Sequence, residues 1–126
     1  MSRVVLVVED SPQCAENLEI ALQAMGGVEV ALARTGGEAL AILASRAVAA
    51  ILTDLDMPGM HGLELIERVR SDPGSRRIPI LVLSGSTRTG IRERVLLSGA
   101  DGYFCKPYSP AEVRQRLEQL LHANEK

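Results

Sequence analysis

Acidic, hydroxyl and amine side chains follow four apolar segments of this chain, each typical of a buried strand. The carboxyl ends of parallel strands meet at one edge of a sheet, so we expect these groups to converge. Two like charges 4 Å apart repel by about 4 kcal/mol at an effective dielectric near 20, so clustered carboxylates need a cation. A lysine ammonium supplies one positive charge, and Mg²⁺, which prefers oxygen ligands, is predicted to supply more. The converging residues are Glu9, Asp10, Asp54, Ser84 and Lys106.

Asp54 is the residue on which this chemistry would centre. It follows the apolar segment Ala49–Leu52, and a proline and two glycines then end the regular structure. With cations neutralising the oxygens of an incoming phosphoryl group, a carboxylate can attack phosphorus and form an acyl phosphate. Phosphoryl transfer depends mostly on positioning and electrostatics, so this simple set of groups is sufficient. The sequence therefore predicts phosphoryl transfer to Asp54.

The segments that must position these groups alternate between strand and helix patterns. Ser11 with Pro12, and Thr35 with Glu38, are typical of helix starts, the second pair as a capping box. Alternating strands and helices predict a parallel sheet with right-handed crossovers and helices on both faces. Strands are predicted over 4–8, 28–33, 49–52, 78–83 and 102–105; helices follow each strand, the fourth over 89–98.

Composition bounds the function. The chain has 126 residues, 46% hydrophobic and 24% charged, as expected of one globular domain with its own core. A net charge of −2 argues against a nucleic-acid surface, and no apolar run is long enough to span a membrane. Cys14 and Cys105 fall in different predicted elements, which favours free thiols in a reducing compartment, and we expect a cytoplasmic protein. Cys105 is expected to be a small buried residue.

The chain resembles the response-regulator receiver domains of two-component signalling, including the chemotaxis-regulator type. The resemblance rests on Glu9-Asp10, on the run from Asp54 to Gly62, on Ser84-Gly85 and on Lys106-Pro107, and it spans essentially the whole chain. It implies a flavodoxin-like α/β fold: a single doubly wound five-stranded parallel sheet in the order 2-1-3-4-5 with five helices. We expect one receiver domain over residues 1–126, with no output domain.

The resemblance also implies a role for each group. Asp54 is similar in position to the phosphoacceptor, Lys106 to the lysine that pairs with the phosphoryl group, and Ser84 to the switch hydroxyl. Tyr103 resembles the aromatic residue that rotates inward when that hydroxyl moves. The Lys106–Pro107 peptide bond is usually cis in this family. The expected cofactor is Mg²⁺, and its implied ligands are Asp10, Glu9 acting mainly through water, Asp54 and the backbone carbonyl of Asp56.

The implied function is a phosphorylation-activated signalling switch rather than an enzyme in the usual sense, although the domain would assist its own phosphorylation and dephosphorylation. The phosphoryl group would come from a histidine kinase or phosphotransfer protein. The face that carries Ser84 and Tyr103 would then bind a downstream protein target, and phosphorylation is a possible trigger for homodimer formation. Neither nucleic acid nor a membrane is an expected partner. His61 stands where an acidic residue is common, and it is expected to face solvent.

Two alternatives remain open from the sequence. Asp54-Leu55-Asp56 also resembles the nucleophile motif of haloacid-dehalogenase-like phosphatases, with Asp56 as the general acid and Lys106 as the phosphate-binding lysine. The other is a degenerate receiver that acts as a constitutive binding module. Each group also has a plain structural interpretation as a strand-end, turn or surface residue. Their joint placement at predicted strand ends favours the functional interpretation.

Overall fold

The structure is a computed structural model that describes residues 3–57, 59–85 and 88–123. Strands and helices alternate along the whole described chain, as the sequence predicts. The strands are β1 (Arg3–Val8), β2 (Val28–Ala33), β3 (Ala50–Thr53), β4 (Ile80–Ser84) and β5 (Gly102–Cys105). The helices are α1 (Pro12–Gln23), α2 (Gly36–Ser45), α3 (Gly62–Ser71), α4 (Ile91–Leu97) and α5 (Pro110–Ala123).

The five strands form one parallel sheet in the order β2-β1-β3-β4-β5, which confirms the predicted topology. The strands β1, β3 and β4 are interior, and their side chains are buried almost throughout. Interior strands of this kind consist of continuous apolar residues because helices cover both faces. The carboxyl ends of β1, β3, β4 and β5 therefore lie side by side at one edge of the sheet.

Two hydrophobic clusters lie on the two faces of the sheet. Successive residues of a strand point to opposite faces, so Leu6 and Val8 belong to one cluster while Val5 and Val7 belong to the other. The first cluster includes buried residues of α2, α3 and α4, and the second includes those of α1 and α5. Burial of each Val, Leu or Ile side chain contributes about 1.5–3 kcal/mol to the free energy of folding. The aliphatic core predicted from the composition therefore holds the strands, and with them the edge of the sheet, in place.

Side-chain caps fix the starts of two helices that adjoin the site. The Ser11 hydroxyl accepts the Cys14 N–H at 3.4 Å, and Pro12 occupies the first turn, as predicted. Thr35 accepts the Glu38 N–H at 3.1 Å, while the Glu38 carboxylate accepts the Arg34 N–H at 3.2 Å. The forward bond of the predicted capping box is therefore present, whereas the Glu38 carboxylate bonds the residue before the cap instead of the cap itself.

Several sequence expectations differ from the structure. β1 begins one residue earlier than predicted, and β3 lies one residue later, over Ala50–Thr53. Cys105 is exposed rather than buried, because β5 is an edge strand. The fourth strand begins at Ile80 instead of Ile78, and α4 is shorter than the predicted 89–98. Within the described ranges, no helix combines the length and the apolarity that crossing a membrane requires.

Candidate functional site

Three carboxylates meet at the carboxyl edge of the sheet. Glu9, Asp10 and Asp54 each place an oxygen within 4.8 Å of the others. Glu9 and Asp54 are only 5% and 7% exposed, whereas Asp10 is open to solvent. The structure thus brings together the acids that the sequence placed at the ends of two strands.

The backbone ladder produces this juxtaposition. The Asp54 N–H donates to the Val8 carbonyl at 3.0 Å, which continues the pairing of β3 with β1 by one residue. The Glu9 N–H donates to Ala33 at 2.9 Å in the same way on the β2 side. Both acids are therefore held by main-chain hydrogen bonds of the sheet rather than by a flexible loop.

Lys106 is the cation at the centre of the cluster. Its Nζ donates to Asp54 Oδ2 at 3.1 Å and to Glu9 Oε1 at 3.3 Å. Partial burial by itself lowers the pKa of the Lys106 ammonium, but the hydrogen bonds and charges of Asp54 and Glu9 outweigh it and raise that pKa above its usual value. The backbone N–H of Lys106 donates to the Ser84 carbonyl at 2.7 Å, so the ends of β4 and β5 fix its position.

The Asp54 carboxylate has two differently held oxygens. Oδ1 accepts the N–H groups of Leu55 at 2.7 Å and Asp56 at 3.3 Å, while Oδ2 faces Lys106. The Thr53 hydroxyl donates to the Asp54 carbonyl at 2.8 Å, which fixes the main chain behind it. Donors on both oxygens restrict the rotation of the carboxylate, so the group is oriented before any reaction begins.

Gly62 packs directly against the backbone that carries Asp54. A Cβ at this position would lie 2.6 Å from the Asp54 carbonyl oxygen and 2.7 Å from the Leu55 Cα. The Gly62 N–H also donates to the Leu55 carbonyl at 2.8 Å, which joins the start of α3 to the residue after Asp54. From the sequence, Gly62 is interpreted only as a turn residue, and its close contact with the backbone is not predicted.

His61 is partly exposed, as expected, but it also caps α3, a role that the sequence analysis did not assign. Its Nδ1 accepts the Leu63 N–H at 3.1 Å, as an N-cap side chain does, and its ring is only partly exposed. Its Nε2 lies 3.9 Å from Asp56 Oδ1, which keeps the ring beside the loop that follows Asp54. The cap was missed because histidine is not among the residues preferred at helix N-caps.

The remaining predicted residues occupy the neighbourhood of the cluster. Ser84 is the last residue of β4 and is wholly buried. Tyr103 lies on β5, packed against the cluster that includes α3 and α4. The Asp56 side chain is 68% exposed, so its carboxylate is not part of the buried acid cluster. The Lys106–Pro107 peptide bond is cis.

The donor set suits a hard divalent cation. In the part of the chain that the structure describes, the carboxylates of Glu9, Asp10 and Asp54 form a group able to hold a metal ion. Three carboxylates facing one ammonium leave two negative charges to be offset, and oxygen ligands are those that Mg²⁺ prefers. The residues present therefore fit Mg²⁺ on chemical grounds.

The chain is similar to known proteins over most of its length. The family model of the response regulator receiver domain matches residues 5–118. The DNA-binding response regulator MtrA of Mycolicibacterium smegmatis is 36% identical over 99% of this chain, which spans 53% of that protein's length. The chemotaxis protein CheY1 of Helicobacter pylori is 35% identical over 95% of this chain and 98% of its own. The match thus includes one protein about as long as this chain and one about twice its length.

A solved structure extends the comparison to the metal. The receiver domain of the sensor histidine kinase PA1611 of Pseudomonas aeruginosa, determined with a magnesium ion in its active-site cleft, is 29% identical. It superimposes with a TM-score of 0.86 over 97% of this chain and 99% of that one. Fold, acid cluster and family match agree, and this chain belongs to the family of response-regulator receiver domains.

Proposed function

We propose that this chain is a signalling switch that receives a phosphoryl group on Asp54 from a histidine kinase or phosphotransfer protein. The observation that carries the proposal is the position of the Lys106 ammonium, which bonds Asp54 and Glu9 at 3.1 and 3.3 Å. An ammonium placed between an oriented carboxylate and a second acid can neutralise an arriving phosphoryl oxygen at the moment of transfer.

In the proposed step, an Asp54 carboxylate oxygen attacks phosphorus as the phosphorus–nitrogen bond of the donor histidine breaks, and the electron pair returns to the imidazole. The bonds from Leu55 and Asp56 hold Oδ1, so the oxygen that faces Lys106 is the one presented to the donor. Lys106 then donates to the transferred group. Because the domain supplies this positioning itself, we also propose that it assists its own phosphorylation and dephosphorylation.

The acid cluster is proposed to hold Mg²⁺ through Asp10, Asp54, the backbone carbonyl of Asp56 and, through water, Glu9. When bound, the ion supplies electrostatic neutralisation of phosphoryl oxygens. The buried Glu9 carboxylate already accepts hydrogen bonds from Lys106 and from the Ser11 N–H at 3.1 Å. That engagement supports an indirect role for Glu9 toward the ion.

We further propose that phosphorylation changes partner binding through Ser84 and Tyr103. Ser84 is buried at the end of β4, and β4 pairs with β5, which carries Tyr103. A shift at the end of one of these strands would therefore displace the other. Reversing an equilibrium from 1:99 to 99:1 takes about 5.5 kcal/mol, which new bonds from a phosphoryl group to Ser84 and Lys106 would have to supply. The expected consequence is docking of a protein target, with homodimer formation as a possible accompaniment. The free cysteines support a cytoplasmic location.

Mass spectrometry with acetyl phosphate tests the proposal. In the presence of Mg²⁺ the wild type should gain one phosphoryl group, and Asp54→Asn should gain none. Asp56→Asn is the matched control, because its side chain is exposed and only its backbone is assigned a role. Equal labelling of wild type and Asp54→Asn would exclude Asp54 as the acceptor.

The two alternatives predict different results. A haloacid-dehalogenase-like phosphatase would turn over a small phosphate ester steadily, and a degenerate receiver would show no Mg²⁺ binding in a titration. Family membership favours the receiver function over the first. The complete set of acids, hydroxyl and lysine at one edge favours it over the second.

A further inference from the structure

Arg70, at the end of α3, joins three separate segments away from the site. Its Nε donates to the Gly99 carbonyl at 2.9 Å, beyond the end of α4. Its Nη1 donates to the carbonyls of Arg76 and Ile78, in the loop before β4, at 3.0 and 2.7 Å. The guanidinium is thus bonded both to the entry of β4 and to the exit of α4.

Asp101 completes this connection. Its Oδ2 accepts from Arg70 Nη2 at 3.1 Å and from the Ile80 N–H at 2.8 Å. The Asp101 N–H donates to the Ile80 carbonyl at 2.7 Å, and Arg116 on α5 donates to the Asp101 carbonyl at 3.2 Å. The start of β4 and the chain entering β5 are therefore fixed to one another around a single guanidinium.

Gly99 allows the guanidinium to approach. Its φ is +116°, in the region that favours glycine, and a Cβ there would lie 2.9 Å from Arg70 Cγ and 3.0 Å from Nε. Any larger residue would both strain the backbone and push Arg70 away from its carbonyl partners. The turn that ends α4 is thus built to receive the arginine.

The other end of α4 is held differently. Gly90 occupies the N-cap position and has no side chain with which to cap the helix. The helix is seven residues long, is anchored by the buried Ile91 and Val95, and leaves Leu97 88% exposed. The N-terminal end of α4 thus lacks a side-chain cap, whereas Arg70 holds the chain just beyond the C-terminal end.

We propose that Arg70 is a positioning residue that fixes the C-terminal end of α4, so that the helix responds to phosphorylation by pivoting about the Gly99–Asp101 corner. The proposal deepens the proposed function and rests on Asp54 being the phosphoacceptor. In it, the N-terminal turn of α4 moves with the end of β4, while Gly99, Ala100 and Asp101 remain in place. The planar fork of arginine is required, because an ammonium cannot reach all four acceptors at once.

Hydrogen exchange in the unphosphorylated protein tests the fixed corner. Arg70→Met should accelerate exchange of the Ile80, Ala100 and Asp101 amides by about tenfold or more. These amides bond to or within the segment Gly99–Asp101, which Arg70 holds in place. Arg70→Lys should behave like Arg70→Met because it lacks the fork. The control is Arg68→Met, which removes an exposed arginine of the same helix that pairs with Glu64. Unchanged exchange at the corner in Arg70→Met would overturn the proposal.

Gly99→Ala provides a second route to the same test, because it displaces Arg70 without removing its charge. It should reproduce the accelerated exchange of Arg70→Met. Normal exchange at Ile80 and Asp101 in this variant would show that the corner does not depend on the arginine's position, and would overturn the proposal.

The pivot is tested with Mg²⁺ and beryllofluoride, a mimic of the phosphoryl group. In the wild type the mimic should change exchange at least about threefold over residues 91–95 and leave 99–101 unchanged. In Arg70→Met the change should extend into 99–101. Equal changes in both segments of the wild type would overturn the pivot, whereas no change near Asp54 would mean that the proposed phosphoacceptor role, and not the pivot, has failed.

Discussion

The substitution Lys106→Met removes the ammonium from the acid cluster but keeps most of the aliphatic stem. In the wild type, Nζ lies 3.1 Å from Asp54 and 3.3 Å from Glu9, contacts that are each worth about 5 kcal/mol of attraction at an effective dielectric near 20. Without it, the carboxylates of Glu9 and Asp54, whose oxygens lie within 4.8 Å, face each other with a repulsion of at least about 3.5 kcal/mol at the same dielectric.

The measured loss should be smaller than these sums. Removing one partner of a buried ion pair costs about 3–5 kcal/mol, but the Lys106 side chain is 27% exposed and water screens part of the interaction. We therefore expect Lys106→Met to lower the free energy of unfolding by about 2–3 kcal/mol at pH 8 in low salt without Mg²⁺. Adding Mg²⁺ should restore part of this loss, because the ion offsets the same charges.

Urea unfolding followed by circular dichroism measures the effect, since the chain has no tryptophan for fluorescence. Asp54→Asn keeps an oxygen for the Leu55 N–H and removes only the charge. In a double-mutant cycle with Asp54→Asn, the cost of Lys106→Met should shrink by about 2 kcal/mol. A loss below about 0.5 kcal/mol, or a coupling near zero, would refute the electrostatic account of the site.

Three further predictions concern the surroundings of the site. Gly62→Ala should lower the free energy of unfolding by about 2 kcal/mol or more, because the new methyl group meets the Asp54 carbonyl, whereas Gly37→Ala, with its nearest atom 3.8 Å away, should be neutral or stabilising; urea unfolding of both variants compares them. His61→Ala should cost about 1 kcal/mol through the lost α3 cap, and His61→Asp should recover most of it in the same assay. Burial raises the pKa of Tyr108 to about 12, so above about pH 10 the unfolded chain releases this proton first and stability falls. Tyr108→Phe should reduce the fall in the free energy of unfolding by up to about 1.4 kcal/mol per pH unit. An unchanged dependence on pH in urea titrations above about pH 10 would contradict the raised pKa of Tyr108.

The bounds of a strand were predictable where an apolar segment is flanked or opened by a residue that interrupts regular structure. The segments Val28–Ala33 and Gly102–Cys105 were predicted to the residue, because Gly27 precedes the first and the second starts at Gly102 and ends shortly before Pro107. The bounds of α4 were not, since its seven residues give too little helical periodicity and Gly90 offers no polar cap to recognise. Cys105 was misplaced because periodicity cannot tell an edge strand from an interior one.

The convergence of the site was predictable in type but not in detail. Parallel topology alone implies that Asp10, Asp54 and Lys106 lie at the same edge of the sheet, because each follows a strand. That Glu9 rather than Asp10 is the buried acid beside Lys106 depends on which side of the β1 terminus each side chain takes. The sequence did not indicate the contacts of Arg70, since three of its four acceptors are backbone carbonyls, which every residue carries.

The main-chain bonds from Asp54 to Val8 and from Lys106 to Ser84 have an evolutionary consequence. Asp54 and Lys106 take their positions from peptide hydrogen bonds, which do not depend on the identity of outward-facing side chains. If the proposed function holds, substitutions on the helix exteriors could change which proteins recognise the domain without displacing these two residues.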